Sequence, residues 1–394
     1  MPERDPYGSL YTLLGTVPDV RDARGRRHHL ADVLFITLVG IIAGAEDAQA
    51  LEDFATMQRD WFRDRCGLRH GIPSQDTYLR VLAALDPRAF GEAFQKWVAE
   101  LWGPGTAKHV AIDGKTLRRS FDRAAGRSAV HSVAAFASER GLVLGQVTVQ
   151  DKENEIIAIP KLLQLIDVRG ATITIDAMGC QTAIAQAIQD QNAHYVLQVK
   201  DNHPTLRGHI EDFFTDVRRD NRPLDDPAPA LSEASEVDSG HGRIEERRCL
   251  ISRDLSWIDT ASDWAGLSGI AMLERLRENK VTGESSRERA YFIFSDPDAT
   301  ARRINELIRS HWSIENSLHW VLDVTFNEDQ SRIRTANAAE NVATLRRAGL
   351  NLLRDAPTPP GTRGKVSLRR KRRFSLMNPL YLETVLRIPP SQGS

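Results

Sequence analysis

Apolar positions recur along the first hundred residues with a helical rhythm and then change to the rhythm of strands. Leu30 to Ala45 is almost wholly apolar and reads as a buried helix. Ala48 to Asp64 sets Leu51, Phe54, Ala55, Trp61 and Phe62 on one face, as an amphipathic helix does. A further helix opens at Pro73-Ser74, with Ser74 as its N-cap, Asp76 in its first turn and Tyr78, Leu79, Val81, Leu82 and Leu85 as its apolar stripe. Asp86-Pro87 ends it and starts another, Arg88 to Leu101. Residues 1–104 therefore form a helical N-terminal domain. Its last two helices and their tight turn have the form of a helix-turn-helix, which would set Gln75, Thr77 and Arg80 against a DNA groove, although plain packing gives the same pattern.

Gly103-Pro104-Gly105 is the first clear boundary. Beyond it come the strands His109 to Asp113, Ala129 to Ser138 and Gly141 to Val149, the last two joined as a hairpin at Glu139-Arg140. A helix from Glu155 to Asp167, with Pro160 inside it, leads to the strand Thr172 to Asp176; a helix Gln181 to Gln191 leads to the strand Tyr195 to Val199. This order, β β β α β α β, is that of a ribonuclease H-like core. There, an antiparallel trio is extended by parallel strands through helical crossovers, and the first and fourth strands are neighbours. From about 202 to 288 the pattern weakens into a proline-bearing loop around Pro223, Pro227 and Pro229 and an inserted β-rich segment, with strands at Arg247 to Ser252 and Gly269 to Leu276. The strand Ala290 to Phe294 returns to the core. The expected class is α/β: a ribonuclease H-like mixed-sheet catalytic core over 105–354, a helical N-terminal domain and a basic tail over 355–394.

Candidate chemistry lies at the strand ends. Asp113 closes an apolar strand, Asp176 closes another, and in this topology the two stand side by side. A third acid can come from the helical stretch Ala301 to Val324, where His311, Glu315 and His319 fall at i, i+4 and i+8. Three gathered carboxylates repel one another unless a cation joins them. Oxygen ligands suit Mg²⁺ or Mn²⁺, and two such ions would support in-line phosphoryl transfer. A rival reading takes His311, His319 and a carboxylate as a zinc site, and a third treats the helix as purely structural.

Composition adds limits. At 394 residues, 41% hydrophobic and 27% charged, the chain has ordinary globular proportions. Cys66, Cys180 and Cys249 show no CxxC spacing, which points to a reducing compartment and leaves Cys180 as a packing residue. No leader peptide is evident, and the apolar run Val33 to Ala45 falls short of the roughly 20 residues a membrane span needs, so a cytoplasmic protein with no membrane partner is expected. The net charge of −1 hides two basic clusters, Arg21, Arg24, Arg26 and Arg27 near the start and Arg363, Lys365 and Arg369 to Arg373 near the end, which suit phosphate contacts.

The blocks AIDGKTLRRS, HSVAAFASERGLVLGQ, KENEIIAIPKLL, TITIDAMGCQTAIA, YVLQVKDNH and HWSIENSLHWVLDVTFNEDQSRIR resemble bacterial insertion-sequence transposases of the H-repeat-associated (ISAs-type) group, within the DDE superfamily. The N-terminal helical portion resembles the domain associated with that group. The resemblance implies an enzyme that binds the terminal inverted repeats of its element, cuts double-stranded DNA at the ends and joins them to target DNA, as a homodimer in a synaptic complex at the bacterial nucleoid. By position Asp113 matches the first acid, Asp176 the second and Glu315 the glutamate. Related families place a tyrosine, an arginine and a lysine around that glutamate; here Trp312 stands three before it, Leu322 seven after it, and the arginine is Arg309. Arg309, Trp312, His319 and Arg332 are then candidates for gripping DNA, joined by Lys115 and Lys200 after strand ends. Asp323 and Glu328 are the fallback third acids. Asn154 and Glu155 read as a helix cap with a dipole-favoured acid. The alternatives are a transposase-derived DNA-binding protein without catalysis and a metal-dependent phosphoesterase on a small substrate.

Overall fold

The computed structural model describes residues 6–388 apart from 104, 106, 124, 150–154, 220–230 and 241. Pro104, Asn154, the prolines 223, 227 and 229, and the last residues of the tail therefore lie outside the described residues. The strand rhythm of the sequence becomes one nine-stranded sheet in the order β3-β2-β1-β4-β5-β9-β8-β7-β6. Its strands are β1 (His109–Thr116), β2 (His131–Ala137), β3 (Leu142–Val149), β4 (Thr172–Ile175), β5 (His194–Val199), β6 (Leu231–Gly240), β7 (Arg243–Ser252), β8 (Gly269–Asn279) and β9 (Ser285–Phe294). β1 to β3 are antiparallel, whereas β4 and β5 run parallel to β1, which is the mixed ribonuclease H-like arrangement.

The inserted segment differs from expectation. It builds no separate module: β9 pairs antiparallel with β5, and β8, β7 and β6 carry the same sheet outward. A helix the apolar pattern had not indicated, Pro204–Arg219, precedes these strands. Alternation explains the continuity. Tyr291 and Ile293 of β9 join one buried face, while Phe292 and Phe294 join the other, so the strand needs cover on both sides.

Helices cover the two faces. In chain order they are α1 (Pro6–Thr16), α2 (Leu30–Ala43), α3 (Ala48–Met57), α4 (Arg59–Arg63), α5 (Gln75–Ala84), α6 (Pro87–Trp102), α7 (Glu155–Leu165), α8 (Thr182–Gln189), α9 (Pro204–Arg219), α10 (Ala301–His311), α11 (Trp320–Phe326), α12 (Ala338–Asp355), α13 (Leu368–Met377) and α14 (Pro379–Leu386). All of α2 is buried, and it ends where Gly44 takes a φ of 111° that a side chain would resist. No described helix is long and apolar enough to cross a membrane.

The N-terminal helices and the sheet share one core through α12. Phe35, Leu38, Ile42, Tyr78 and Trp97 sit in the same apolar cluster as Phe136 and Val143 of the sheet and Leu345 and Leu352 of α12. Asn351 of α12 donates to Val143 O at 2.8 Å and accepts from Val143 N at 2.9 Å, replacing a neighbour strand at the outer edge of β3. The C-terminal segment is likewise ordered where described. Lys371 donates to Leu353 O at 2.8 Å, and Arg372 donates to Ile41 O at 2.8 Å, so two of the basic residues close helix ends instead of facing solvent.

α12 also carries a wholly buried ion pair, Arg347 to Glu328 at 2.9 Å, with both side chains 0% exposed. Burial would lift the Glu328 carboxyl, but Arg347, Arg346 and Lys115 hold it below the usual range. Its stabilising charge is therefore present above that range and lost as pH falls through the depressed value. Arg347→Ala would strand the carboxylate and lower stability by about 3–5 kcal/mol, read as a reduced denaturant midpoint, and Arg347→Met with Glu328→Gln should recover most of it. Equal loss in the single and double variants would show that packing, not charge pairing, is at stake.

Candidate active site

The centre of the sheet sets the geometry. Val110, Ala111 and Ile112 are wholly buried, and Asp113 follows where β1 leaves the core. The parallel pairing matches Ile112 with Ile175, so Asp113 and Asp176 leave adjacent strands at one level. Past this point β1 continues as Gly114 to Thr116 against β2 alone, a continuation beyond the expected strand end. A β-carbon at Gly114 would strike the Glu155 carboxylate and the His131 ring, which pair with each other beneath it. Asp176 caps a short 3₁₀ turn and accepts the Met178 N–H at 3.1 Å, which fixes its direction.

Glu315 arrives from the other side. α10 buries Ile304, Leu307 and Ile308 on the sheet, and its end brings Trp312 and then a π-helical turn, Glu315–His319, in place of the continuous helix expected from the sequence. The wide turn is closed by Trp320 N–H to Glu315 O, and such turns often mark functional sites. Ligand-capable atoms of Asp113, Glu315 and His319 all lie within 4.8 Å of one another. His319 Nε2 is 3.2 Å from Asp113 Oδ2. Asp176 lines the same cavity of about 440 Å³, together with Asp113, His311, Trp312, Glu315 and Lys200.

Charge is unevenly satisfied here. Burial would raise the Asp113 carboxyl, but the hydrogen bond and charge of His319 outweigh it and hold the group below its ordinary value. Among the described residues Asp176 accepts backbone N–H groups alone, and His311 relieves it only in part. Burial, then Asp113 and Glu155, push it above the ordinary value. Burial also holds His311 below the usual imidazole value despite Asp113 and Asp176. Behind it, His311 Nδ1 is 3.0 Å from Thr174 Oγ1, which is 2.8 Å from His109 Nε2; His109 is brought down to about 3 by burial. Burial thus disfavours the charged form of both imidazoles, and Asp113, Glu315 and His319 are the gathered groups that could hold a cation.

The other sequence candidates divide. Lys200 and Trp312 line the cavity, and Trp312 is 55% exposed. Arg332 is exposed beyond α11. Arg309 is latched to β6 through Glu236 and, at 2.8 Å, Asp238. Lys115 turns away from the cavity into ion pairs with Asp323 at 2.5 Å, Asp329 at 3.0 Å and Glu328 at 3.8 Å. That arrangement occupies both fallback acids. The rival zinc set is not gathered, since His311 hydrogen-bonds Thr174 and the ligand-capable group contains His319 alone of the two. Cys180 is fully buried, with its thiol pushed up to about 12, as a packing residue would be. The sequence did not point to the Glu155–His131 pair, the His109–Thr174–His311 relay, or Arg275, Glu288 and Arg289, which the insertion contributes to the cavity wall. Only the polar positions His109 and Thr174 inside otherwise apolar strands hinted at a second layer.

Comparison with known proteins bears on this arrangement. Residues 104–352 match the family described as the transposase DDE domain, and residues 11–98 match the DDE_Tnp_1-associated family. The chain is 38% identical to the "putative transposase YncI" of Escherichia coli O157:H7, over 96% of this chain and 94% of that protein. It is 37% identical to the "H repeat-associated putative transposase YhhI" of Escherichia coli (strain K12), over 96% and 97% respectively. A solved piggyBac transposase synaptic complex with hairpin DNA aligns over 99% of this chain and 86% of that one, at 12% identity and a TM-score of 0.38. With the family model spanning the entire mixed sheet and the relatives matching nearly end to end, the chain belongs to the DDE transposase family.

Proposed function

We propose that this chain is an active transposase, in which Asp113, Asp176 and Glu315 hold two Mg²⁺ or Mn²⁺ ions and direct cleavage and strand transfer at the terminal inverted repeats of an insertion sequence. The observation that carries the reading is the convergence of the three acids on one cavity, where burial and the neighbouring Asp113 and Glu155 push the Asp176 carboxyl above its ordinary value. The bound ions would supply activation of the attacking oxygen and neutralisation of the leaving one. The chain's own groups do the positioning. His319 donates to Asp113 and fixes which carboxylate oxygen faces the cavity. Trp312 offers an exposed ring at the rim on which a base can stack. In this reading Lys200 and Arg332 contact backbone phosphates, and the helical region 1–104 reads the element ends. Residues 105–354 make up the DDE catalytic domain and 355–394 the basic C-terminal segment of this reading. A homodimer would bring two ends together, in the bacterial cytoplasm at the nucleoid.

Two experiments test it. On a labelled duplex carrying the element end, with Mg²⁺ or Mn²⁺, Asp113→Asn, Asp176→Asn and Glu315→Gln should each cut at least about a hundredfold more slowly while keeping DNA binding. Cleavage at the wild-type rate by any one of them rejects that residue as a ligand. The second follows from the sign of the Asp176 shift. A carboxyl raised in the folded state contributes stability below its unfolded value and loses it as pH rises through the folded one, so its ionisation opposes folding at neutral pH. With divalent ions chelated, Asp176→Asn should melt about 1–3 °C above wild type at neutral pH, the gap closing toward about pH 4. Millimolar Mg²⁺ or Mn²⁺ should raise the wild type and leave the variant nearly unmoved. Identical melting of both proteins in all conditions would remove Asp176 from the metal set.

A further inference from the structure

The cavity does not end at the carboxylates. Leu273, Arg275, Glu288, Ile308 and Trp312 line both it and a second groove of about 470 Å³ over the insertion. Strand alternation builds that groove. Cys249 of β7 and Leu273 of β8 pack beneath Ile304, Leu307 and Ile308 of α10. Two residues outward on the same face come Arg247 and Arg275, and two further come Glu245 and Arg277. α10 forms the facing wall through Asn305, Ile308 and Arg309.

This face breaks an ordinary rule of strand pairing. Arg247 and Arg275 stand directly opposite one another across the β7–β8 pair, where like charges repel. The counter-charge is thin. Glu245 is shared among Arg247, Arg277 at 2.9 Å and Arg275 at 3.8 Å. Glu288, itself 59% exposed, lies 3.4 Å from Arg275, while Glu236 and Asp238 are taken by Arg309. Arg247 Nη1 and Arg275 Nε are buried and make no hydrogen bond among the described residues. Burial and the neighbouring Arg277 also hold the Arg275 guanidinium below its usual range. A group of cations that a fold does not satisfy is costly to keep, and sites that break a local rule without structural gain are where function is expected.

We infer that Arg247, Arg275 and Arg277 form a phosphate-binding subsite that holds the backbone of the DNA strand passing from the three-carboxylate site across Trp312 onto β7 and β8. The inference rests on the transposase reading of the neighbouring acids. Guanidinium groups suit the role because their forked N–H donors match phosphate oxygens and remain charged when partly buried. The insertion thereby gains a function: it extends the catalytic sheet so that its outer face continues the track of the substrate.

The test uses the full chain and a labelled mixed-sequence duplex, with affinity measured across a salt series. Arg247→Gln combined with Arg275→Gln should weaken binding on the order of tenfold and flatten the dependence of log K on log salt by about one. Arg287→Gln, on the opposite face of β9, should change neither. Arg247→Lys with Arg275→Lys should keep most of the salt slope but not all of the affinity, since an ammonium lacks the fork. If the glutamine pair loses stability yet binds DNA with the wild-type slope, the arginines serve the fold and the inference fails. Should that pair unfold, Arg277→Gln alone, at a more exposed position, is judged by the same slope. Metal-dependent nicking by wild type against Asp176→Asn, run in parallel, separates the two readings. Nicking confined to wild type, together with an unchanged slope in the arginine variants, overturns the subsite and leaves the carboxylate site standing. Wild-type protein that neither nicks nor binds overturns both.

Discussion

The parallel pairing of β1 with β4 is the constraint on which the rest of the molecule depends, because it forces two acids to leave the core at one level. Two like charges one strand spacing apart, at an effective dielectric near 20, repel by about 3 kcal/mol. Burial opposes this. Val110, Ile112 and Ile173 are wholly buried and Ile175 nearly so, and each such side chain contributes about 1.5–3 kcal/mol when taken out of water. Hydrophobic burial therefore wins by a wide margin, and the repulsion persists as a local strain in charge. The pKa directions record it: Asp113 is relieved by His319, whereas Asp176, next to Asp113 and Glu155, is not.

A second group of acids is met by cations of the chain's own, although burial still holds the Asp323 carboxyl above its ordinary value. Asp323, Glu328 and Asp329 converge on Lys115, and Glu328 also has Arg347. Sequence position alone would let Asp323 or Glu328 compete with Glu315, since all three follow α10 within a few turns. The structure separates them by counter-charge. The cluster around Lys115 is supplied with cations of the chain's own, and Lys115 is drawn into it from the strand end. Glu315 is exposed at the rim, with its carboxylate close to Asp113 and His319. A lysine two residues after a candidate site acid can thus be spent on ordering the helix behind the site.

Much of this was legible in the sequence where one period dominated. The strands from His109 to Val199 and their order followed from short apolar runs with turn signals, and the adjacency of Asp113 and Asp176 followed from the order. Most helices from Leu30 to Val324 were legible to within a few residues, whereas α1, α9, α13 and α14 were not indicated, and local events intervened at two places: Gln58 divides the expected Ala48 to Asp64 helix into α3 and α4, and the π-turn interrupts the helix through Glu315. Neither has a periodic signal. The insertion was legible as β-rich but not as part of the main sheet, because strand pairing over long separation leaves no mark in local pattern. Paired polar positions buried between layers, such as His131 with Glu155, are equally silent, since each residue alone resembles a surface one.

Charge runs were the least reliable guide, for a physical reason. Lys371 and Arg372 belong to the most basic stretch of the chain, yet both are buried and spent on helix-terminal carbonyls. Arg21 and Arg26, in the other cluster, fold onto Asp19 and nearby carbonyl groups. What distinguishes a binding surface is a deficit of partners, not an abundance of charge. By that measure two regions stand out along two adjoining cavities that share Arg275, Glu288 and Trp312: a carboxyl raised by its neighbours at Asp176, and buried guanidinium nitrogens without a hydrogen bond among the described residues at Arg247 and Arg275. A phosphodiester strand would satisfy both at once if Asp113, Asp176 and Glu315 held divalent cations beside one of its phosphates and the arginines met the next stretch of backbone.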